Sequence, residues 1–145
     1  MNVLVDASIW SLSLARRANL NPYQEGLRAE LMELIFENRA VLLGPVRQQV
    51  LSRIPNPEAF ERLRLMFRDM PHTDTVVEDH EGAAMYSLMC RTTNIRVDPT
   101  NILICAVAER KELAVFTDNI EFNRISAAVP VRLHNIRPEL QNPPT

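Results

Sequence analysis

Residues 3–5, Val-Leu-Val, form an unbroken apolar run that stops abruptly at Asp6. A β-branched run with no polar alternation is the pattern of a parallel strand buried on both faces, not of a strand with one wet side. Such a strand requires helices above and below it. It also leaves Asp6 at the carboxyl end of a sheet, where ligands gather in open α/β folds.

The rest of the chain supplies the partners this strand needs. The segments "AVLLG" (40–44), "LAVFT" (113–117) and "VPVRLHNI" (129–136) read as further strands, and "TVV" (75–77) as a short strand or an extended lead-in to a helix. Between them lie stretches with helical spacing. "SLSLARRA" (11–18) and the segment 23–39, with Leu27, Leu31, Leu34 and Ile35 on one stripe, predict a pair of helices on one face. In "PVRQQVLSRI" (45–54), Pro45 suits the first helical position and Val46, Val50 and Ile54 make the inner stripe. Segments 57–70, 75–93, 98–110 and 119–126 add four more helices, the last of them short. The alternation predicts a three-layer α/β/α fold around a mainly parallel sheet. A single domain is expected over residues 1–137, with 138–145 as a loose tail.

Composition narrows the function classes. A formal charge of −2 gives no overall pull toward nucleic acid or anionic membrane, so any nucleic-acid role must rest on a local site. With only three glycines and no glycine-rich phosphate loop, a Rossmann-type nucleotide enzyme is disfavoured. Cys90 and Cys105 lie in apolar segments without CxxC spacing and read as reduced core residues. No signal segment opens the chain and no apolar run reaches spanning length, so a cytoplasmic protein away from the membrane is expected.

Four segments put polar residues at strand ends or helix mouths: "VDAS" (5–8), "GPVRQQVL" (44–51), "DPTNILICA" (98–106) and "FTDNIEF" (116–122). Asp6 reads as a ligand-binding residue at the sheet edge or as a strand-end acceptor for the following helix, with Ser8 as a further cap. Asn101 heads an otherwise apolar helix that Asp98 and Pro99 already start well as N-cap and first residue, so the amide calls for a polar cavity. Asp98 reads as that N-cap, or as a further carboxylate at the polar mouth. Asp118 reads equally as a ligand or as the capping-box partner of Glu121. Arginines such as Arg47 and Arg53 are solvated by default, and near a pocket they would hold phosphates. Trp10 reads as core or as part of a partner groove.

In this order the four segments resemble those of PIN-domain proteins, in particular the toxin ribonucleases of VapBC toxin–antitoxin pairs. The resemblance spans nearly the whole chain, and "PTNILICAVAERKELAVFTDNIEFNRI" (99–125) is its most specific part. It implies a PIN-like fold and an acid in each segment, at positions that fall here on Asp6, Gln49, Asn101 and Asn119. Asp6 keeps its acid. Where the family has Arg-Gln-Glu this chain has Arg47-Gln48-Gln49, and where it has Thr-Asp this chain has Thr100-Asn101. The Thr-x-Asp-x-Asp-Phe pattern lands on Thr117 to Phe122, so Asn119 replaces an acid and Glu121 keeps one.

The resemblance further implies an endoribonuclease that uses Mg²⁺ or Mn²⁺, held by Asp6, Asn101 and Asp118, with Arg47, Ser8 and Thr117 positioning RNA. A cognate antitoxin, an RNA substrate and a homodimer are the implied partners. Hard divalent cations prefer oxygen ligands, and an amide keeps a carbonyl oxygen but loses the charge. Metal affinity and cleavage are therefore expected to be impaired. The alternative is a catalytically inactive PIN-fold module that binds RNA or a protein partner.

Overall fold

The computed structural model describes residues 1–141. Its centre is a four-stranded, all-parallel sheet of order β3-β2-β1-β4. The strands are β1 (Val3–Val5), β2 (Ala40–Leu43), β3 (His72–Thr73) and β4 (Ala114–Phe116). In register, Val5 pairs with Phe116, and the Asp6 N–H then continues the ladder to the Phe116 carbonyl at 3.0 Å.

Successive strand side chains point to opposite faces. Val3, Leu4 and Val5 are all fully buried, so both faces of β1 are covered, as its unalternating sequence predicts. The cover comes from α1 (Ala7–Leu14), α2 (Pro22–Phe36), α3 (Gly44–Ser52), α4 (Pro57–Arg68), α5 (Val77–Thr92), α6 (Pro99–Lys111) and the short α7 (Glu121–Ser126). Trp10 is core, set edge-on to Phe67 with ring centroids 5.1 Å apart. Cys90 and Cys105 are free and buried, and burial pushes the Cys105 thiol up to about 12. Among the described residues no helix is long and apolar enough to cross a membrane.

Local sequence explains the helix starts. Asn21 and Gln24 form a reciprocal capping box before α2, and Asn56 accepts from Glu58 and Ala59 before α4. Asp98 caps α6 as expected, with Pro99 as its first residue. Helix α3 begins at Gly44, which puts Pro45 second rather than first.

Two expectations are corrected and one is narrowed. The segment 129–136 is not a strand. It forms one parallel bridge, Leu133 with Val115, because its partner β4 is only three residues long, bounded by the left-handed Glu112 that ends α6 and by the turn after Thr117. "TVV" takes the second of its two readings, the extended lead-in: Val76 is the extended N-cap of α5, and the edge strand is the preceding His72–Thr73. Within the tail expected to be loose, Pro138–Gln141 forms a turn of helix, α8, packed on α2 so closely that a Cβ at Gly26 would stand 2.8 Å from the Leu140 carbonyl oxygen. The remainder of that tail, 142–145, lies outside the described residues.

A buried ion pair sets the α5–α6 pair. Arg110 near the end of α6 donates twice to Asp79, at 2.6 and 2.8 Å, and Asp79 also takes the Val76 N–H at 2.9 Å. Asp79 is only 1% exposed, and hydrogen bonding from Arg110 holds its carboxyl below the usual range against the opposing effect of burial. Arg110→Ala is expected to lower the urea midpoint, because the buried Asp79 carboxylate is left without its cation. Adding Asp79→Asn should recover part of that loss.

Candidate active site

The carboxyl edge of the sheet opens into a polar pocket of about 280 Å³. Four elements deliver its residues. Asp6 and Ser8 come from the β1–α1 junction, Gln49 and Arg53 from α3, Asp98 and Asn101 from the mouth of α6, and Asn119 and Glu121 from the turn into α7. The four positions Asp6, Gln49, Asn101 and Asn119 are thus brought together, although 113 residues separate the first from the last.

Asp6 is 4% exposed. One carboxylate oxygen accepts from the Ser8 N–H at 3.0 Å and the Ser8 hydroxyl at 2.5 Å; the other accepts from the Thr117 hydroxyl at 2.8 Å. Burial raises its pKa, and the Ser8 and Thr117 hydroxyls and the Ile9 and Ser8 N–H groups oppose the rise without cancelling it. Ser8 Oγ also accepts from the Asp118 N–H at 2.9 Å, and Thr117 Oγ1 from the Asn119 N–H at 3.0 Å. Ser8 and Thr117 therefore fix Asp6 and shape the turn after β4.

Across the pocket Glu121 is held just as firmly. Its carboxylate accepts from the Asp98 N–H at 2.6 Å and from the Asn101 side-chain NH₂ at 2.8 Å. Asn101 thus finds its polar cavity, and its amide donates to an acid. An aspartate there would put two carboxylates face to face, an arrangement that raises a pKa or calls for a cation. Asn119 caps the next turn, its Oδ1 accepting from the Glu121 N–H at 3.0 Å. The expected Asp118–Glu121 capping box does not form.

Two expected site residues lie elsewhere. Asp118 is not in this pocket; its side chain lines a separate cavity on the far side of the Thr117–Asn119 turn. Arg47 lies over the Phe67 ring, its guanidinium carbon 5.8 Å from the centroid. Arg53 takes its place, lining both the pocket and an adjoining groove with Gln48, Ser52 and Thr100. Helical phase carried that signal: Arg53 is four residues after Gln49 and shares its face, whereas Arg47 does not.

The donor set decides what the pocket could hold. Three carboxylates reach it, from Asp6, Asp98 and Glu121, and each already accepts at least two protein hydrogen bonds. Among the described residues no three His, Cys, Asp or Glu side chains converge closely enough to hold an ion. The residues present therefore do not fit a tight divalent site.

No family model matches the chain, and no curated protein matches it. Solved structures do. The chain is similar to DNA-bound VapBC from Salmonella typhimurium, with a TM-score of 0.71 and 14% identity over 92% of this chain and 97% of that one. It is similar to VapBC2 from Rickettsia felis bound to a DNA fragment from the promoter, at TM-score 0.69 and 17% identity over 93% and 98% of the two chains. A toxin–antitoxin complex from Klebsiella pneumoniae gives 0.65 and 15% over 89% and 93%. The chain has the PIN-like α/β fold. Chains of this shape are found in VapBC toxin–antitoxin complexes.

Proposed function

We propose that this chain is the toxin component of a VapBC-type pair, a Mg²⁺- or Mn²⁺-dependent endoribonuclease by design whose metal affinity and cleavage are lowered by three amides. The observation that carries this reading is the convergence of Asp6, Gln49, Asn101 and Asn119 on one pocket at the carboxyl edge of the sheet. A divalent ion bound among carboxylates would activate water and stabilise charge on a phosphodiester. Here the Asn101 amide satisfies Glu121 instead, which favours a pocket that keeps its shape without a cation. That same contact supports the second reading, an inactive PIN-fold module that binds RNA or a protein partner.

The likeness to VapBC complexes supports a cognate antitoxin as partner, and the two buried free thiols suit a reducing cytoplasm. A homodimer belongs to the same proposal. Arg53 takes the role of phosphate contact at the pocket. Arg53→Ala is expected to weaken binding of an RNA hairpin several-fold in metal-free buffer and to lower the salt slope by about 1, while Arg47→Ala leaves that slope unchanged.

The test of the proposed activity restores Gln49→Glu, Asn101→Asp and Asn119→Asp together and compares cleavage of structured RNAs with Mg²⁺ or Mn²⁺. The restored chain should cut at least about 100-fold faster than the present one. Failure of the restored chain to cut would leave the binding module as the better account.

A further inference from the structure

Beyond the turn that carries Thr117, Asp118 and Asn119 lies a second cavity, of about 390 Å³, a size in the range of small-molecule sites. Its floor is apolar, made by Leu27 of α2, Phe116 at the end of β4, Leu133 at the last bridge and Ile136 beyond it. Its rim is polar and carries one exposed ring, Tyr23, from the first turn of α2. The cavity adjoins the catalytic-type pocket directly. Thr117 lines it while its hydroxyl donates to Asp6.

Some of the rim is already spoken for. Gln141 Nε2 donates to the Ile136 carbonyl at 3.0 Å, and His134 Nε2 lies 3.0 Å from Glu30. Asp118, Asn123 and Asn135 are exposed, and among the described residues the Asn123 and Asn135 amides make no hydrogen bond. Among the described residues the Asp118 carboxylate has the Tyr23 phenol as its one partner, and the phenol's pKa rises through burial and then through that neighbouring charge. An apolar floor, a flat ring and free hydrogen-bonding edges together match a planar heterocycle.

We propose that this cavity is a base subsite for a guanine of the bound RNA, read by Asp118 with the Asn123 and Asn135 amides and stacked on Tyr23. This rests on the RNA-cleavage reading of the neighbouring pocket. Guanine alone offers adjacent N1–H and exocyclic NH₂ donors, which a carboxylate accepts as a fork, and its O6 takes an amide N–H. Adenine presents an acceptor at N1, and cytosine and uracil present one donor position beside acceptors. Asp118 also repels RNA phosphates, so an acid there suits a base edge and not a backbone.

The test titrates GMP, AMP, CMP and UMP into the present full-length chain without divalent metal, followed by amide NMR shifts, with ribose 5-phosphate as the phosphate-only arm. GMP should bind tightest, with shifts centred on Tyr23, Asp118, Asn123 and Asn135. Asp118→Asn should weaken GMP by about tenfold and leave the other three nearly unchanged, while Tyr23→Ala weakens all four. Asp118→Asn should keep the thermal midpoint, because its carboxylate holds no backbone group. Equal affinity for all four nucleotides, or for ribose 5-phosphate, would overturn the subsite, as would GMP shifts confined to the Asp6 pocket. If the restored chain cuts RNA but GMP shows no preference, the subsite fails alone. If GMP binds here and the restored chain does not cut, the nuclease reading fails alone.

Discussion

Arg137→Ala is expected to cost about 3–5 kcal/mol, and to lower the thermal midpoint by about 10 °C, the largest loss of stability from any single change considered. Glu30 is fully buried in the middle of α2. Arg137 answers it with its backbone N–H at 3.0 Å and two guanidinium bonds at 2.8 and 2.9 Å, and reaches on to Glu37 at 2.8 Å. Burial alone would push the Glu30 carboxyl up, but the Arg137 side chain and N–H, with His134, outweigh it and hold the pKa at about 2. Removing the guanidinium leaves a buried carboxylate with only His134 and the backbone N–H of residue 137 as partners. A double variant, Glu30→Leu with Arg137→Ala, should regain most of the stability, because neither desolvated charge remains.

The same pair sets an acid limit. Glu30 is held below its ordinary value of 4.5, so its contribution is fully present above that value and is lost as pH falls toward about 2. Urea midpoints of the natural chain should therefore drop through this window, and those of the double variant should drop less. The consequence reaches function, since the segment Arg137 anchors also supplies Leu133 and Ile136 to the proposed base cavity.

The triply restored chain is the second large effect, and it should appear in stability as well as in cleavage. With Asn101→Asp, the N–H bond to Glu121 at 2.8 Å becomes a contact between two acids. Without metal that change should cost about 1–3 kcal/mol. Millimolar Mn²⁺ should return the loss, because a cation among the acids binds the folded state alone. The present chain should show no comparable response, as its carboxylates are already answered by hydroxyls, backbone N–H groups and the Asn101 amide.

Much of this was legible in the sequence where one strong signal ruled. Val3–Val5 announced a doubly covered strand, and its abrupt end put Asp6 at the sheet edge. An amide heading the apolar α6 called for a polar cavity, and Glu121 with the Asp98 N–H supplies part of it. What escaped depended on tertiary contacts. His72–Thr73 is too short and too polar to declare itself as a strand, and the Pro71 carbonyl reaches the Leu42 N–H only once α4 has turned the chain. The apolar content of 129–136 suggested a full strand, but the three-residue β4 beside it gives it only a bridge. Which of Asp118 and Asn119 faces the pocket is settled by the Thr117 hydroxyl within the turn and by the Ser8 hydroxyl, which reaches the turn from 110 residues away.

On the proposed reading, the pocket holding Asp6 and Glu121 would be a divalent-metal site disarmed by Gln49, Asn101 and Asn119. Calorimetric titration of Mn²⁺ into the present and the triply restored chains tests it most directly. The restored chain should bind with a saturable isotherm, at least about 100-fold tighter than the present one, and Asp6→Asn should abolish that gain. Equal Mn²⁺ affinity in the two chains, or a gain that survives Asp6→Asn, would contradict the claim.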